Sequence, residues 1–318
     1  MGGAFLFSGY PGITMAQKPT LSWTRQIQLL LDRGLCIVDQ EACKRFLAAQ
    51  NYYRFSGYVR YFQRAPHHGD DTFMQGTWFE EIQAIYDADE ALRHTLGEQL
   101  GRAELLLRSH TAHVIAREHG PYETYLAESF YSDAPSAEPT VNSCLRDIER
   151  SKERHILRFT ETEGATGAAR FGELPVWSAV EVWSFGTLSK CIERGGTGSL
   201  AGAVASSLGV AQAGFAYRVR ALVYLRNRCA HHSRLWNHSI IDAGPTPNNV
   251  RAKAKRLAGQ FSPRSALDVI ASLDDILSRG MDAAPILPGI VAEHSQHKGF
   301  WRGLVAPQNS RDHGQATY

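Results

Sequence analysis

The chain predicts an all-α fold, and three observations support this class. Apolar residues recur at helical spacing over several long stretches, and Gly or Pro marks the ends of these stretches. No strict alternation of apolar and polar residues runs beyond four residues, so strand signals are scarce. The 318 residues, 43% hydrophobic and 21% charged, are enough for one large or two medium domains.

The N-terminal region predicts two helices followed by an aromatic segment. The first covers residues 21–33 and ends at Gly34, and the second is capped by Asp39 and runs to about Gln50. Residues 51–58 then carry Phe and several Tyr around Arg54. We expect this aromatic segment to be core, and stacking on RNA bases is the alternative.

A long helix is predicted next, because the 77–119 segment contains no proline and ends at Gly120-Pro121. Its leucines at 92, 96, 100 and 107 form an apolar stripe. A Gly-rich stretch at 195–198 has neither a preceding strand nor a Gly-Lys-Ser/Thr ending, so it predicts a linker rather than a phosphate loop. The other predicted helices cover residues 141–162, 211–235 and 263–279. Pro175 opens a further segment, residues 176–183, which ends at Phe185-Gly186.

Four regions follow from this pattern. Residues 1–16 predict a disordered stretch or an upstream extension, with Met15 as the alternative start. Residues 17–75 form an N-terminal helical region and 76–292 a larger helical domain. The polar residues 293–318 predict a flexible tail.

Charge and cysteine content narrow the function classes. The net charge is only +2, yet residues 210–256 hold nine Lys/Arg against one acid, a field that would attract polyanions. A solvated basic face is the alternative. The five cysteines include no CxxC pair, which favours a reducing cytoplasm, and no apolar run is long enough for a membrane span. The candidate RNA-binding residues are Arg54, Arg218, Arg220 and Arg228.

The 211–235 helix carries the most informative motif. At about 100° per residue, Arg226 falls on the same face as Val219 and Leu222, and Asn227 and His231 lie at the edge of that face. A guanidinium cannot lose its charge, so at a helix interface it requires an anion. That anion is either a carboxylate of the fold or a phosphate from outside.

The same three residues suit metal-independent RNA cleavage. Histidine transfers protons near neutral pH, arginine binds phosphate oxygens through two donors, and an amide orients either partner. Two such helices would supply a composite site. The structural alternative is an Arg–carboxylate pair with a helix-capping histidine. A metal site at His231, His232 and His238 and a Cys229 nucleophile are weaker readings, because ligand spacing and an oxyanion hole are not evident.

A second Arg-x4-His pattern lies on the long helix, from Arg108 to His113. Glu104 lies one turn before Arg108 and is placed to form an ion pair with it. We expect this pair to support packing or the first motif, and a second active site is the alternative.

Several segments resemble the Abi-like (AbiD/AbiF-type) bacterial abortive-infection proteins in family order. They are Lys18-Pro19-Thr20-Leu21-Ser22, Arg33-Gly34-Leu35, Asn51-Tyr52-Tyr53-Arg54-Phe55-Ser56-Gly57-Tyr58, Phe185-Gly186-Thr187-Leu188-Ser189 and Arg226-Asn227-Arg228-Cys229-Ala230-His231-His232-Ser233-Arg234-Leu235-Trp236-Asn237. Members of that family carry a HEPN domain. The resemblance implies that residues 76–292 form a HEPN-type helical bundle, preceded by an N-terminal helical extension.

The resemblance also implies an activity, metal-independent endoribonuclease cleavage at a dimer interface, without a cofactor. Arg226 would hold the scissile phosphate, Asn227 would position it and His231 would act as acid or base. His232 and Arg234 lie in the matching stretch and would have a supporting role. Glu104 and Arg108, on the long helix, also resemble family residues and would support the motif.

The implied partners are an RNA substrate, a second copy of the chain and an RNA or protein antitoxin, with no membrane. The rival function is a non-catalytic RNA-binding or protein-interaction module of a toxin–antitoxin-like defence system.

Overall fold

The computed structural model describes residues 20–160, 164–240, 244 and 246–308. Fourteen α-helices and one two-stranded sheet form the regular structure of these residues, which confirms the all-α class. The predicted extension at 1–16 lies outside the described residues. Two compact units divide between Ile82 and Gln83, inside the fourth helix rather than before it.

The first unit contains three helices, a hairpin and the start of the fourth helix. Their bounds are α1 Trp23–Asp32, α2 Gln40–Gln50, α3 Tyr52–Val59, β1 Gln63–Ala65, β2 Asp70–Phe73 and α4 Phe79–Glu118. The strands pair antiparallel, with Gln63 opposite Phe73. Asp39 caps α2 as predicted, because its carboxylate accepts the Ala42 amide at 2.9 Å.

The core of the first unit is partly aromatic. The rings of Phe46, Phe55 and Phe79 meet edge to face, with centroids 5.3–5.6 Å apart. Phe55 and Tyr58 are buried, as expected for the aromatic segment, whereas Tyr53 is 85% exposed. The segment therefore serves the core on one face of α3 and meets solvent on the other.

The second unit continues along α4 and adds ten helices. They are α5 Thr140–Arg150, α6 Arg154–Leu157, α7 Val176–Val182, α8 Phe185–Arg194, α9 Leu200–Ser207, α10 Phe215–Ala230, α11 Asn248–Ala258, α12 Ala266–Gly280, α13 Leu287–His294 and α14 Lys298–Val305. The four leucines predicted to line α4 are fully buried. Helix α10 packs against α8, α9 and α12, so its first turns lie in the core.

Two predicted helices and one predicted segment have different bounds in the structure. The charged helix ends at Arg150 because Ser151 is extended and its hydroxyl accepts the Glu153 amide at 3.2 Å. The 176–183 segment forms α7, which ends at Val182, and α8 begins after the Ser184 cap, whose hydroxyl accepts the Thr187 amide. The 211–235 helix is shorter, and covers only the residues of α10.

The predicted flexible tail is wrong for residues 293–308. Helix α14 buries Phe300 and Leu304 completely, one helical turn apart. The Trp236 indole donates to the Gly299 carbonyl at 3.0 Å, and a Cβ on Gly303 would overlap that indole nitrogen. Phe300 and Leu304 are thus buried, and Gly299 and Gly303 pack against Trp236, although the overall composition of this segment is polar. Residues 309–318 lie outside the described part.

Within the described part of the chain, no helix combines the length and the apolar composition that crossing a lipid bilayer requires.

Candidate functional site

The last turn of α10 fixes where the motif residues point. Beyond the C-cap His231, the Ser233 amide donates to the Arg228 carbonyl at 2.8 Å and the His232 amide to Cys229 at 3.1 Å. This is a Schellman motif, which requires a left-handed residue. His232 takes that position with a φ of 52°. The chain therefore reverses immediately after the helix, and the side chain of His231 is exposed.

Arg226 lies where the buried stripe of α10 ends. Val219 and Leu222 are fully buried, whereas the side chain of Arg226 is 40% exposed. One terminal nitrogen lies 3.4 Å from a Glu104 carboxylate oxygen, and the other donates to the Asn227 side-chain oxygen at 3.2 Å. The predicted anionic partner is therefore a carboxylate of the same chain. The guanidinium still faces solvent, which a fully buried interface residue would not.

Glu104 serves two arginines at once. Its other carboxylate oxygen lies 2.6 Å from Arg108, so the predicted ion pair on α4 is present. Arg108 is buried and also donates to the carbonyls of Val180 and Trp183, the latter at 2.7 Å. Its donors point into the protein, although His113 is exposed. The geometry of the second Arg-x4-His pattern is that of a structural arginine.

The loop after α10 is clamped back onto the helix. Arg228 donates to the Arg234 carbonyl at 3.0 Å through its ε-nitrogen, and its guanidinium lies 5.8 Å from the centroid of the Tyr224 ring. The Tyr224 hydroxyl lies 2.7 Å from the His238 ring nitrogen, and the two rings are parallel. The Arg228 guanidinium therefore binds this loop and is not directed at a ligand.

A buried ion pair that the sequence reasoning missed holds the same loop from the other side. Asp89 and Arg93 on α4 are both buried, and their side chains meet at 2.5 Å. The Asp89 carboxylate also accepts the backbone amides of Leu235 and Trp236, each at 3.1 Å. The Asp-x-x-x-Arg spacing could have predicted this ion pair, since side chains four residues apart meet on a helix.

The remaining predicted RNA-binding arginines differ in burial and in their partners. Arg218 is 1% exposed and binds Ser272 and Asp275 on α12, so a phosphate cannot reach it and its predicted role is replaced by a structural one. Arg220 is partly exposed and pairs with Glu193. Arg54 belongs to the first unit and is half-buried.

The surroundings of Cys229 and His238 do not favour the two weaker alternatives, a Cys229 nucleophile and a metal site at the histidines. Burial raises the pKa of Cys229 to about 12, so the thiol stays protonated and is a poor nucleophile. His238 is stacked on Tyr224, whereas His231 and His232 lie in the reversing turn. No cluster of three or more His, Cys, Asp or Glu that could hold a metal occurs among the described residues.

Buried His238 predicts a pH-dependent stability. Burial, reinforced by Arg228 and Arg234, lowers the pKa of His238 from 6.5 to about 3. Below pH 6.5 the unfolded chain therefore takes up a proton that the folded chain refuses, and stability falls. For this group the loss is up to about 2 kcal/mol between pH 6.5 and pH 5. Urea unfolding of the wild type and His238→Phe at both pH values measures it.

The comparison between variants is necessary because burial lowers the pKa of His110 and His294 as well. Those two groups contribute equally to both chains and cancel in the difference. Equal pH dependence of the wild type and His238→Phe would show that His238 is not held neutral.

Comparison with known proteins gives a match at the level of family. Neither a curated protein nor a solved structure matches the chain. A family model described as "Abi-like protein" matches residues 45–237, which is more than half of the chain and includes α4, α10 and the turn that follows α10. The chain therefore belongs to the Abi-like protein family.

Proposed function

We propose that this chain is a metal-independent endoribonuclease of bacterial antiphage (abortive-infection) defence. In this proposal the helical domain is of the HEPN type and the subtype is AbiD/AbiF. The observation that carries the proposal is the exposure of Arg226 and His231 at one end of α10, with Asn227 hydrogen-bonded to Arg226. Membership of the Abi-like family supports the defence role.

The proposed reaction uses the ribose 2′-hydroxyl as the nucleophile. A base removes its proton, the oxygen attacks the adjacent phosphorus, and the bond to the 5′-oxygen breaks as an acid protonates that oxygen. The products are a 2′,3′-cyclic phosphate and a 5′-hydroxyl end. His231 serves as acid or base, and Arg226 stabilises the added negative charge of the phosphorane. Asn227 orients the guanidinium, to which it is already hydrogen-bonded.

Complete acid–base catalysis requires a second proton-transfer group. One chain supplies one histidine at the spacing of the first motif, His231, and Arg108 of the second pattern donates to the Val180 and Trp183 carbonyls, so it does not offer a phosphate contact beside His113. We therefore propose that a second copy of the chain contributes its own Arg226 and His231. A dimer in solution, measured by sedimentation, is the expected assembly.

Cleavage in the presence of EDTA tests the reaction class. The wild-type chain, incubated with total RNA and excess EDTA, is expected to produce fragments with cyclic-phosphate and 5′-hydroxyl ends, because the proposed groups are protein side chains. Mass spectrometry of the fragment ends measures this outcome. Cleavage that stops in EDTA and returns with Mg²⁺ would contradict the metal-independent mechanism.

A second candidate function is favoured by the Glu104 contact. An Arg226 paired with a carboxylate and a His231 at a helix C-cap have structural roles without any reaction. The chain would then be a non-catalytic RNA-binding or protein-interaction module of a toxin–antitoxin-like system. RNA binding without cleavage, for the wild type and the motif variants alike, is the result that distinguishes it. In either case an RNA or protein antitoxin remains a proposed partner.

A further inference from the structure

The first unit contains a groove that neither its core nor the α10 motif explains. It has a volume of about 480 Å³ and lies between α1, α3 and the hairpin. Leu21, Leu29 and Val59 provide apolar surface, and Tyr52 and Tyr53 stand beside it. A volume of this size with apolar walls and a few polar groups is typical of a small-ligand site.

The polar groups of the groove are of two kinds. The Gln26 side-chain oxygen is buried and accepts no hydrogen bond, although its amide nitrogen donates to the Leu21 carbonyl at 3.1 Å. A buried acceptor without a donor is costly, so a side-chain rotation that brings this oxygen to the groove surface, where a ligand N–H reaches it, would be favoured. Arg60 supplies an exposed cation at the end of α3. Arg33 is already paired with Asp71 at 2.8 Å.

Tyr53 adds an aromatic surface that packing does not require. Tyr53 as a whole is 85% exposed, while its backbone amide donates to the Asn51 side chain at 2.9 Å, which fixes the start of α3. A planar ring held on a helix and open to solvent is the surface on which unpaired bases stack. Together the groove offers a stacking ring, one hydrogen-bond acceptor and one cation.

We propose that this groove binds an unpaired nucleobase together with its phosphate. The base stacks on Tyr53, the Gln26 side chain turns so that its oxygen accepts the exocyclic amino group, and the phosphate pairs with Arg60. The source of the nucleotide is either a single-stranded RNA or a free mononucleotide. The choice of RNA rests on the proposed function, but the recognition chemistry does not. Adenine and cytosine present an exocyclic amino group for this contact, whereas uracil offers only its ring N3–H.

Binding is measured in the His231→Ala chain, so that cleavage does not interfere. Fluorescent hexamers of A, C and U report affinity by anisotropy. Tyr53→Ala is expected to weaken binding of the A hexamer by at least about five-fold, the weak end for stacking on one ring, and Tyr53→Phe to restore it. Trp23→Ala is the matched control, because Trp23 is 52% exposed on α1 and does not line the groove.

The phosphate contact is tested by a second variant with its own matched control. Arg60→Ala is expected to weaken binding more than Arg25→Ala, which removes an exposed charge of the same unit outside the groove. Ultraviolet cross-linking of the A hexamer, followed by peptide mass spectrometry, is expected to label Tyr53. This readout does not depend on whether a variant folds.

Two results would overturn the proposal. Equal affinities of Tyr53→Ala and Trp23→Ala would remove the stacking role, and cross-links confined to residues beyond 82 would place the base elsewhere. Competition by AMP at millimolar concentration identifies a free mononucleotide as the ligand, and its failure to compete identifies the RNA strand. Binding is measured without cleavage, so a wild type that does not cut RNA leaves this test intact.

Discussion

The His231→Ala chain is expected to cleave RNA at least about 100-fold more slowly than the wild type, because general acid–base groups contribute roughly 10²–10⁴ in rate. Arg226→Ala is expected to lose a similar factor, since one charge-stabilising donor is worth about 10²–10³. Initial rates on a labelled RNA, measured with excess EDTA, provide the comparison.

Neither substitution should unfold the chain. His231 is exposed, and when Arg226 is removed Glu104 keeps its 2.6 Å contact with Arg108. His297→Ala and Arg302→Ala are the matched controls, because both side chains are exposed and lie on or beside α14, outside the motif. His113→Ala should also retain full activity. Normal cleavage by folded Arg226→Ala and His231→Ala would refute the catalytic assignment.

The second large effect concerns stability. Asp89→Ala is expected to lower the free energy of unfolding by about 3–5 kcal/mol, the range for removing one partner of a buried ion pair. The substitution leaves the Arg93 charge in the core and deprives the Leu235 and Trp236 amides of their acceptor. Urea unfolding at pH 7 measures the loss.

The control is an exposed ion pair of the second unit. Arg117 and Glu118 meet at the end of α4, where both are largely exposed, so Glu118→Ala should cost no more than about 1 kcal/mol. Asp89→Ala combined with Arg93→Met should recover part of the loss, because no buried charge then remains. A single Asp89→Ala chain as stable as Glu118→Ala would mean that the pair does not anchor the loop.

The fold was predictable where local chemistry decides it. The Asp39 cap and the α4 stripe carry their signals within a few residues, and both are observed. The start of α10 was missed because Gly214 enters the helix from a left-handed conformation, which apolar spacing does not reveal. Helix α14 was missed because Phe300 and Leu304 lie in a polar segment whose partner, Trp236, is distant in sequence.

The candidate site divides in the same way. Arg226, Asn227 and His231 are neighbours in sequence, so their spacing alone placed them together at the end of α10. The anchor of the following loop was not predictable, because Asp89 is 146 residues from Leu235. The burial of Arg218 could likewise not be predicted from the sequence, since its partner Asp275 lies on another helix. Contacts between distant segments require the three-dimensional structure.

The position of the motif at the end of α10 has an electrostatic consequence. Many proteins bind phosphate at a helix N-terminus, where backbone amides and the helix dipole attract an anion. At the opposite end the dipole is negative and disfavours phosphate. In α10 the turn after the helix already supplies amides to the Arg228 and Cys229 carbonyls, so no backbone donor remains there for an anion. A phosphate brought to Arg226 and His231 thus receives no help from the backbone of α10, and the attraction has to come from side-chain cations alone.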